Sequence, residues 1–157
     1  MKRPTLPAWT RRSVERAIHV GALLTRPLTM GVRAMVIDPE SRILLLRHSY
    51  VPGWHFPGGG VERGETIAVA MQRECREEAG VHVKGAALLH GLFLNRNIDH
   101  IAVFVVRDFT RDAAPQPDWE IVETGFFKPS DLPPGTTDAT RRRIAEVLDR
   151  VPPAETW

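Results

Sequence analysis

Cysteine is nearly missing from this chain of 157 residues, where Cys75 stands alone. A single thiol builds no internal disulfide framework and leaves no paired-cysteine spacing for a zinc knot. Such a chain suits a reducing compartment, and the cytoplasm is the expected location. Long apolar runs are lacking as well. The longest one near the start, Ala17 to Leu24, is interrupted by His19 and Gly21, whereas a span of the bilayer needs about 20 apolar residues. It also lacks the extended apolar stretch and small-residue cleavage site of a secretory signal. Arg11, Arg12 and Arg16 beside it resemble an amphipathic targeting segment, but a short helix packing on the domain is the simpler expectation, and no membrane partner is expected. Excess charge of one sign is the third absence. Twenty-one basic residues against 19 acidic ones leave a formal charge of +2, too little for the long basic surface that a nucleic-acid backbone requires. No nucleic-acid partner is therefore expected. The pI of about 9.1 leans only slightly toward anionic ligands.

What is present is an ordinary globular composition, 43% hydrophobic and 25% charged, at a length that fits one domain with one sizeable core. Residues 1–27 read as an arm followed by a short helix, in which Val14, Ala17, Ile18, Gly21 and Leu24 keep helical spacing until Pro27. The main domain is expected over 28–151, and 152–157 as a tail. Leu28 to Ile37 is rich in β-formers, Asp38 to Ser41 is a turn, and Arg42 to Arg47 carries Ile43-Leu44-Leu45-Leu46; together they predict a hairpin with a buried second strand. His48 to Phe56 reads as a loop, leading into Pro57-Gly58-Gly59-Gly60. Thr66 is a good N-cap for a helix from Ile67 to about Ala79, with Gly80 as its stop. Strands follow near Ala86 to Asn95 and His100 to Asp108, then a proline-containing loop over 110–118, then a strand over Glu120 to Phe127. A last helix starts near Thr137 or Asp138 with Ile144, Val147, Leu148 and Val151 on one face, and Pro152-Pro153 ends it. This order predicts a mixed sheet with helices on its faces, an α/β class.

The chemistry concentrates in one stretch. On a helix with 100° per residue, Glu74, Glu77 and Glu78 fall within a sector of roughly 100°. Three carboxylates that close repel one another, so they make a poor solvated face. Arg73 lies one turn before Glu77 and can pair with it, yet one arginine does not neutralise three carboxylates. A cluster of hard oxygen donors suits Mg²⁺, with Mn²⁺ as an alternative, above all where the ion is shared with substrate phosphates. Just upstream, Gly59 and Gly60 let the backbone approach a ligand closely, because no side chains intervene.

The run from Gly59 to Val81 fills every fixed position of the Nudix box, G-x5-E-x7-R-E-U-x-E-E-x-G-U, through Gly59, Glu65, Arg73, Glu74, Glu77, Glu78, Gly80 and Val81. Cys75 takes the first aliphatic position as a small hydrophobe. The chain resembles the Nudix hydrolases, and the likeness in layout extends from Leu28 to Leu148. The resemblance implies an α/β/α sandwich and a metal-dependent hydrolase that cleaves the diphosphate linkage of a nucleoside diphosphate joined to another moiety, such as a nucleoside triphosphate or nucleotide sugar. It implies that Glu74, Glu77 and Glu78 bind the metal, that the Gly58 carbonyl adds a ligand, and that Glu65 and Arg73 hold and orient the motif. An extra carboxylate comes from a later segment in many members, with Glu120 favoured here over Glu123. Arg47 resembles an arginine that contacts substrate phosphate in MutT-type members, and Arg33 is a weaker substrate-binding candidate.

Other polar residues carry blander expectations. His48, His55, His90 and His100 do not cluster in sequence and read as ordinary loop and strand histidines. Trp54 and Phe56 read as core anchors of the glycine loop, and Cys75 as a packed core residue rather than a nucleophile. Two competing functions are a ligand-sensing module, which usually has lost box glutamates, and an RNA-end pyrophosphohydrolase, which would need a longer basic groove. The expected partner is a small nucleotide, bound by a monomer or homodimer. Signatures that the resemblance would attach to ADP-ribose, dinucleoside polyphosphate or coenzyme A substrates are not met.

Overall fold

The structure is a computed structural model that describes residues 28–112 and 120–157. The expected N-terminal helix, Trp119 and most of the proline-containing loop lie outside the described residues. Eight strands and two helices follow in the order β1 (Thr29–Val36), β2 (Ile43–His48), β3 (Trp54–His55), α1 (Ile67–Ala79), β4 (Val81–Val83), β5 (Leu88–Asn95), β6 (Asp99–Val106), β7 (Phe109–Arg111), β8 (Ile121–Phe127) and α2 (Asp138–Leu148). They form two three-stranded sheets, β1-β6-β5 and β3-β2-β8, with a small β4-β7 ribbon. The first sheet is mixed, since β1 runs parallel to β6 while β5 is antiparallel to it.

Strand alternation divides the core between two helices. Val32, Ala34 and Val36 of β1, with Leu44 of β2, face one side and pack on Ala70, Met71, Cys75 and Ala79 of α1. Met35 and Ile37, with Ile43 and Leu45, face the other side and pack toward Ile144 of α2. The result is the α/β/α arrangement. Cys75 is fully buried in the first cluster, its Sγ 3.8 Å from Met71 Sδ, and burial pushes its thiol up to about 12. Trp54 and Phe56 are both buried, with Trp54 edge-on to Phe127 at 5.0 Å. They anchor the loop that precedes the glycines.

The expected β1–β2 hairpin is corrected by the pairing. The turn does form, with Ser41 at φ 60° and its N–H donating to Asp38 O at 2.9 Å. Beyond a single bridge at Ile37 and Ile43 the strands part into different sheets. The reason is competition for the β1 edge. Val32 and Ala34 donate their N–H groups to Gly59 O and Pro57 O at 2.9 Å, and Met30 O accepts from the Val61 N–H. The glycine loop thus takes the hydrogen bonds that β2 would have used, and backbone groups left without partners inside the fold would be costly.

Both helix starts match the sequence expectation. Thr66 and Thr137 cap α1 and α2 through their side chains, and Gly80 ends α1 at φ 62°. Helix α2 stops at Leu148, earlier than Pro152-Pro153 suggested, because Arg150 turns to φ 57°. Val151 consequently leaves the apolar face and is exposed. Residues 152–157 run back to β5, where Leu94 N–H donates to Glu155 O and Trp157 N–H to Leu94 O. Beneath them Arg143 is fully buried, bonded to Glu146 at 2.6 Å and lying 3.8 Å from the centre of the Phe93 ring.

Candidate active site

The glycine loop owes its path to contacts that no side chain would allow. Gly58 has φ 146°, and a Cβ there would strike the Val32 carbonyl. At Gly59 a Cβ would strike the Glu74 carboxylate. Loop and helix are therefore pressed together, and the Glu78 carboxylate joins them by accepting the Gly58 N–H at 2.7 Å through Oε2.

Arg73 is the organising cation. Its Nε and Nη2 donate to the two oxygens of Glu65 at 3.0 Å each, a bidentate pair. Nη1 donates to Glu74 at 2.7 Å, and Nη2 also reaches Gly60 O at 3.0 Å. The Glu77 pairing expected from helical spacing is the longest of the set, at 3.5 Å. Sequence spacing alone missed Glu65 as the main partner, because that pair closes across the loop rather than along the helix. Arg73 holds the Glu65 carboxyl below its ordinary range, and Glu65 in turn raises the Arg73 guanidinium.

The three helix carboxylates differ in surroundings. Glu77 is half-exposed. Glu74 is raised by burial, with Arg73 and Arg33 opposing. Glu78 is 8% exposed, and burial pushes it up to about 7, against the pull of the Gly58 N–H and Arg33. Arg33 comes from β1 and donates through Nη1 to Phe56 O at 3.0 Å and Gly58 O at 2.6 Å. Burial lowers its guanidinium, with Glu78 and Glu74 acting the other way.

Two late glutamates take different places. Glu120 accepts a hydrogen bond from the Tyr50 hydroxyl at 2.8 Å, and it lies with the Glu78 carboxylate and the His48 ring in a group whose donor atoms are all within 4.8 Å of one another. Glu123 instead pairs with Arg47 at 3.1 Å on an exposed surface, and the Arg47 guanidinium lies 6.0 Å from the Trp54 ring centre. A bulge between Arg47 and His48 breaks the β2–β8 register and sends these neighbouring residues to different surroundings. Tyr50 is raised to about 12, first by burial and then by its bond to Glu120. Beside the glycine loop a cleft of about 460 Å³ is lined by Thr29, Gly31, Arg33, Gly60, Arg96 and Asp99, among others. Asp99 there accepts hydrogen bonds from Thr29 Oγ1 at 2.9 Å and Asn95 Nδ2 at 3.0 Å. Among the described residues, no helix is long and apolar enough to cross a membrane.

Known proteins share this arrangement. The chain is 38% identical over 61 residues to human (Homo sapiens) 8-oxo-dGDP phosphatase NUDT18, a stretch covering 37% of this chain and 19% of that protein. It is 40% identical over 59 residues to an RNA pyrophosphohydrolase of Halorhodospira halophila, covering 38% and 33%. The matches therefore span only about a fifth to a third of those relatives' lengths. Among solved structures, a MutT Nudix hydrolase from Burkholderia pseudomallei superposes with a TM-score of 0.67 at 26% identity, covering 76% of this chain and 98% of that one. The family profile described as NUDIX domain matches residues 27–148, most of the chain, and the protein belongs to the Nudix hydrolase family.

Proposed function

We propose that this chain hydrolyses the diphosphate linkage of a nucleoside diphosphate derivative, using a divalent ion held by Glu74, Glu77, Glu78 and Glu120. The observation that supports this most directly is the buried Glu78 carboxylate, bonded to the Gly58 N–H at 2.7 Å and grouped with a Glu120 oxygen within 4.8 Å. Glu65, Glu74, Glu77, Glu78 and Glu120 outnumber the two guanidiniums beside them, Arg73 and Arg33, and carboxylates crowded in this way are electrostatically incomplete without a further cation. The donors are oxygens, which fits Mg²⁺ or Mn²⁺. When bound, the ion neutralises diphosphate oxygens and promotes attack by water.

The protein's own groups do the positioning. Arg73 clamps Glu65 and Glu74 so that the helix presents its carboxylates to the loop. Arg33 orients the Gly58 carbonyl, which keeps a second lone pair for the ion. Gly59 and Gly60 let the diphosphate lie against the backbone. Arg47, at the rim, reaches the outer phosphate once it leaves Glu123. Glu120, steered by Tyr50, sits where it can orient water or accept its proton. The cleft beside Gly60 takes the nucleoside or the second moiety, with Asp99 as hydrogen-bond acceptor.

The names carried by the relatives, an 8-oxo-dGDP phosphatase and an RNA pyrophosphohydrolase, share diphosphate cleavage and differ in what is attached. With a net charge of only +2, a small nucleotide fits better than an RNA end. The test is a panel of nucleoside tri- and diphosphates, nucleotide sugars, ADP-ribose, dinucleoside polyphosphates and a 5′-triphosphorylated oligoribonucleotide, each with Mg²⁺, Mn²⁺ or excess EDTA. Release of a monophosphate only with added metal supports the proposal. Full activity in EDTA, or no hydrolysis of any member with metal, overturns it.

A further inference from the structure

His48 is the least explained polar side chain beside the carboxylates. It ends β2 and is 7% exposed, and its Nδ1 has no hydrogen-bond partner. Its Nε2 stands 3.6 Å from Glu78 Oε1, too far for a good hydrogen bond. Burying an imidazole without satisfying it costs free energy, so a ring in this position calls for a reason. The Tyr50 and His55 rings pack on it at 5.2 and 6.2 Å between centres, but Nδ1 is left unpaired. The bulge between Arg47 and His48 is what turns the ring toward the site.

The geometry suits an ion. One donor atom each from His48, Glu78 and Glu120 lie within 4.8 Å of one another. Octahedral coordination at about 2.1 Å places adjacent donors about 3 Å apart and opposite donors about 4.2 Å apart. Closing the widest of these separations to an adjacent-donor distance takes at most about 1.8 Å, within the reach of side-chain rotation at three residues. We propose that His48 supplies a nitrogen ligand to the ion held by Glu78 and Glu120, and that this nitrogen makes the site select a first-row transition-metal ion over Mg²⁺. Imidazole is a borderline donor that transition ions accept, whereas Mg²⁺ prefers oxygen and surrenders its waters reluctantly. The inference rests on the metal-site reading above and deepens it, because the nitrogen adds a preference beyond that of an all-oxygen site.

The experiment uses the full chain, stripped of metal, with Mn²⁺ as probe and Mg²⁺ as competitor. Pulsed electron paramagnetic resonance of the Mn²⁺-loaded wild type should show ¹⁴N coupling from a directly bound imidazole, and His48→Gln should lose it. Mn²⁺ affinity should fall about tenfold or more in His48→Gln, while Mg²⁺ affinity moves less than about threefold. Absent nitrogen coupling in the wild type overturns the proposal, and that measurement requires no variant to fold. Coupling that persists in His48→Gln, or an equal loss of both ions, also overturns it. Glu78→Gln separates the two levels. If Mn²⁺ binding there equals wild type, the metal-site reading itself fails; if binding depends on Glu78 but no nitrogen couples, only the role of His48 fails.

Discussion

Glu78 Oε2 accepts the Gly58 N–H at 2.7 Å, so the carboxylate helix and the glycine loop are latched through one buried carboxylate. Gly58 needs φ 146° to make this contact, and it leaves no room for a side chain against the Val32 carbonyl. Gly58→Ala is expected to lower stability by about 2 kcal/mol or more. It should also reduce turnover, since the loop must move off β1. Urea denaturation of the two proteins checks the first statement, and equal midpoints would contradict the latch.

The same carboxylate makes stability depend on pH. Glu78 titrates near 7 in the fold against an ordinary value near 4.3 in the unfolded chain. Because the folded value is raised, the contribution is fully present below the unfolded pKa and is lost as pH rises through about 7. Glu78→Gln stays neutral throughout and keeps an oxygen for the Gly58 N–H. In metal-free protein, the variant should gain on wild type between pH 4.5 and 8, by about 3 kcal/mol at most. Added Mg²⁺ or Mn²⁺ should stabilise wild type at the upper end and narrow that gap. Denaturation curves across pH with EDTA test this, and a constant difference between the proteins would refute it.

Glu120 and Glu123 should separate in kinetics as they do in space. Glu120 shares a group with His48 and Glu78, whereas Glu123 is occupied by Arg47 at the surface. The expected outcome is that Glu120→Gln loses kcat by at least about tenfold and Glu123→Gln stays close to wild type. Steady-state kinetics at saturating metal decides it. A reversed ranking would move the assisting carboxylate to Glu123, and two normal variants would leave the work to the box.

Much of the fold is legible in the sequence, because its signals are local. Thr66 and Gly80 bracket α1, and Ile43 to Leu46 announce a buried strand by their own composition. The failures were pairings between distant segments. Nothing in Leu28 to Ile37 says that Pro57 to Val61 will take its edge, so the sequence predicts a hairpin there instead. Strands β3, β4 and β7 have two or three residues each, too short for a period to show. Histidines scattered along the chain give no spacing pattern that singles out His48. Its place beside Glu78 depends on a bulge and on the distant β8. Arg73 pairs with Glu77 as helical spacing predicts, but only at 3.5 Å, because the loop offers it the two oxygens of Glu65 in a better geometry.

The central claim is that the carboxylates of α1 carry the reaction by holding a divalent ion. It is tested most directly by turnover of Glu77→Gln and Glu78→Gln on the best substrate at saturating Mg²⁺ or Mn²⁺, with circular dichroism confirming the fold. Loss of a ligand charge removes transition-state stabilisation commonly worth several kcal/mol, so each variant should lose kcat by at least about a hundredfold. Wild-type turnover in either folded variant would contradict the account.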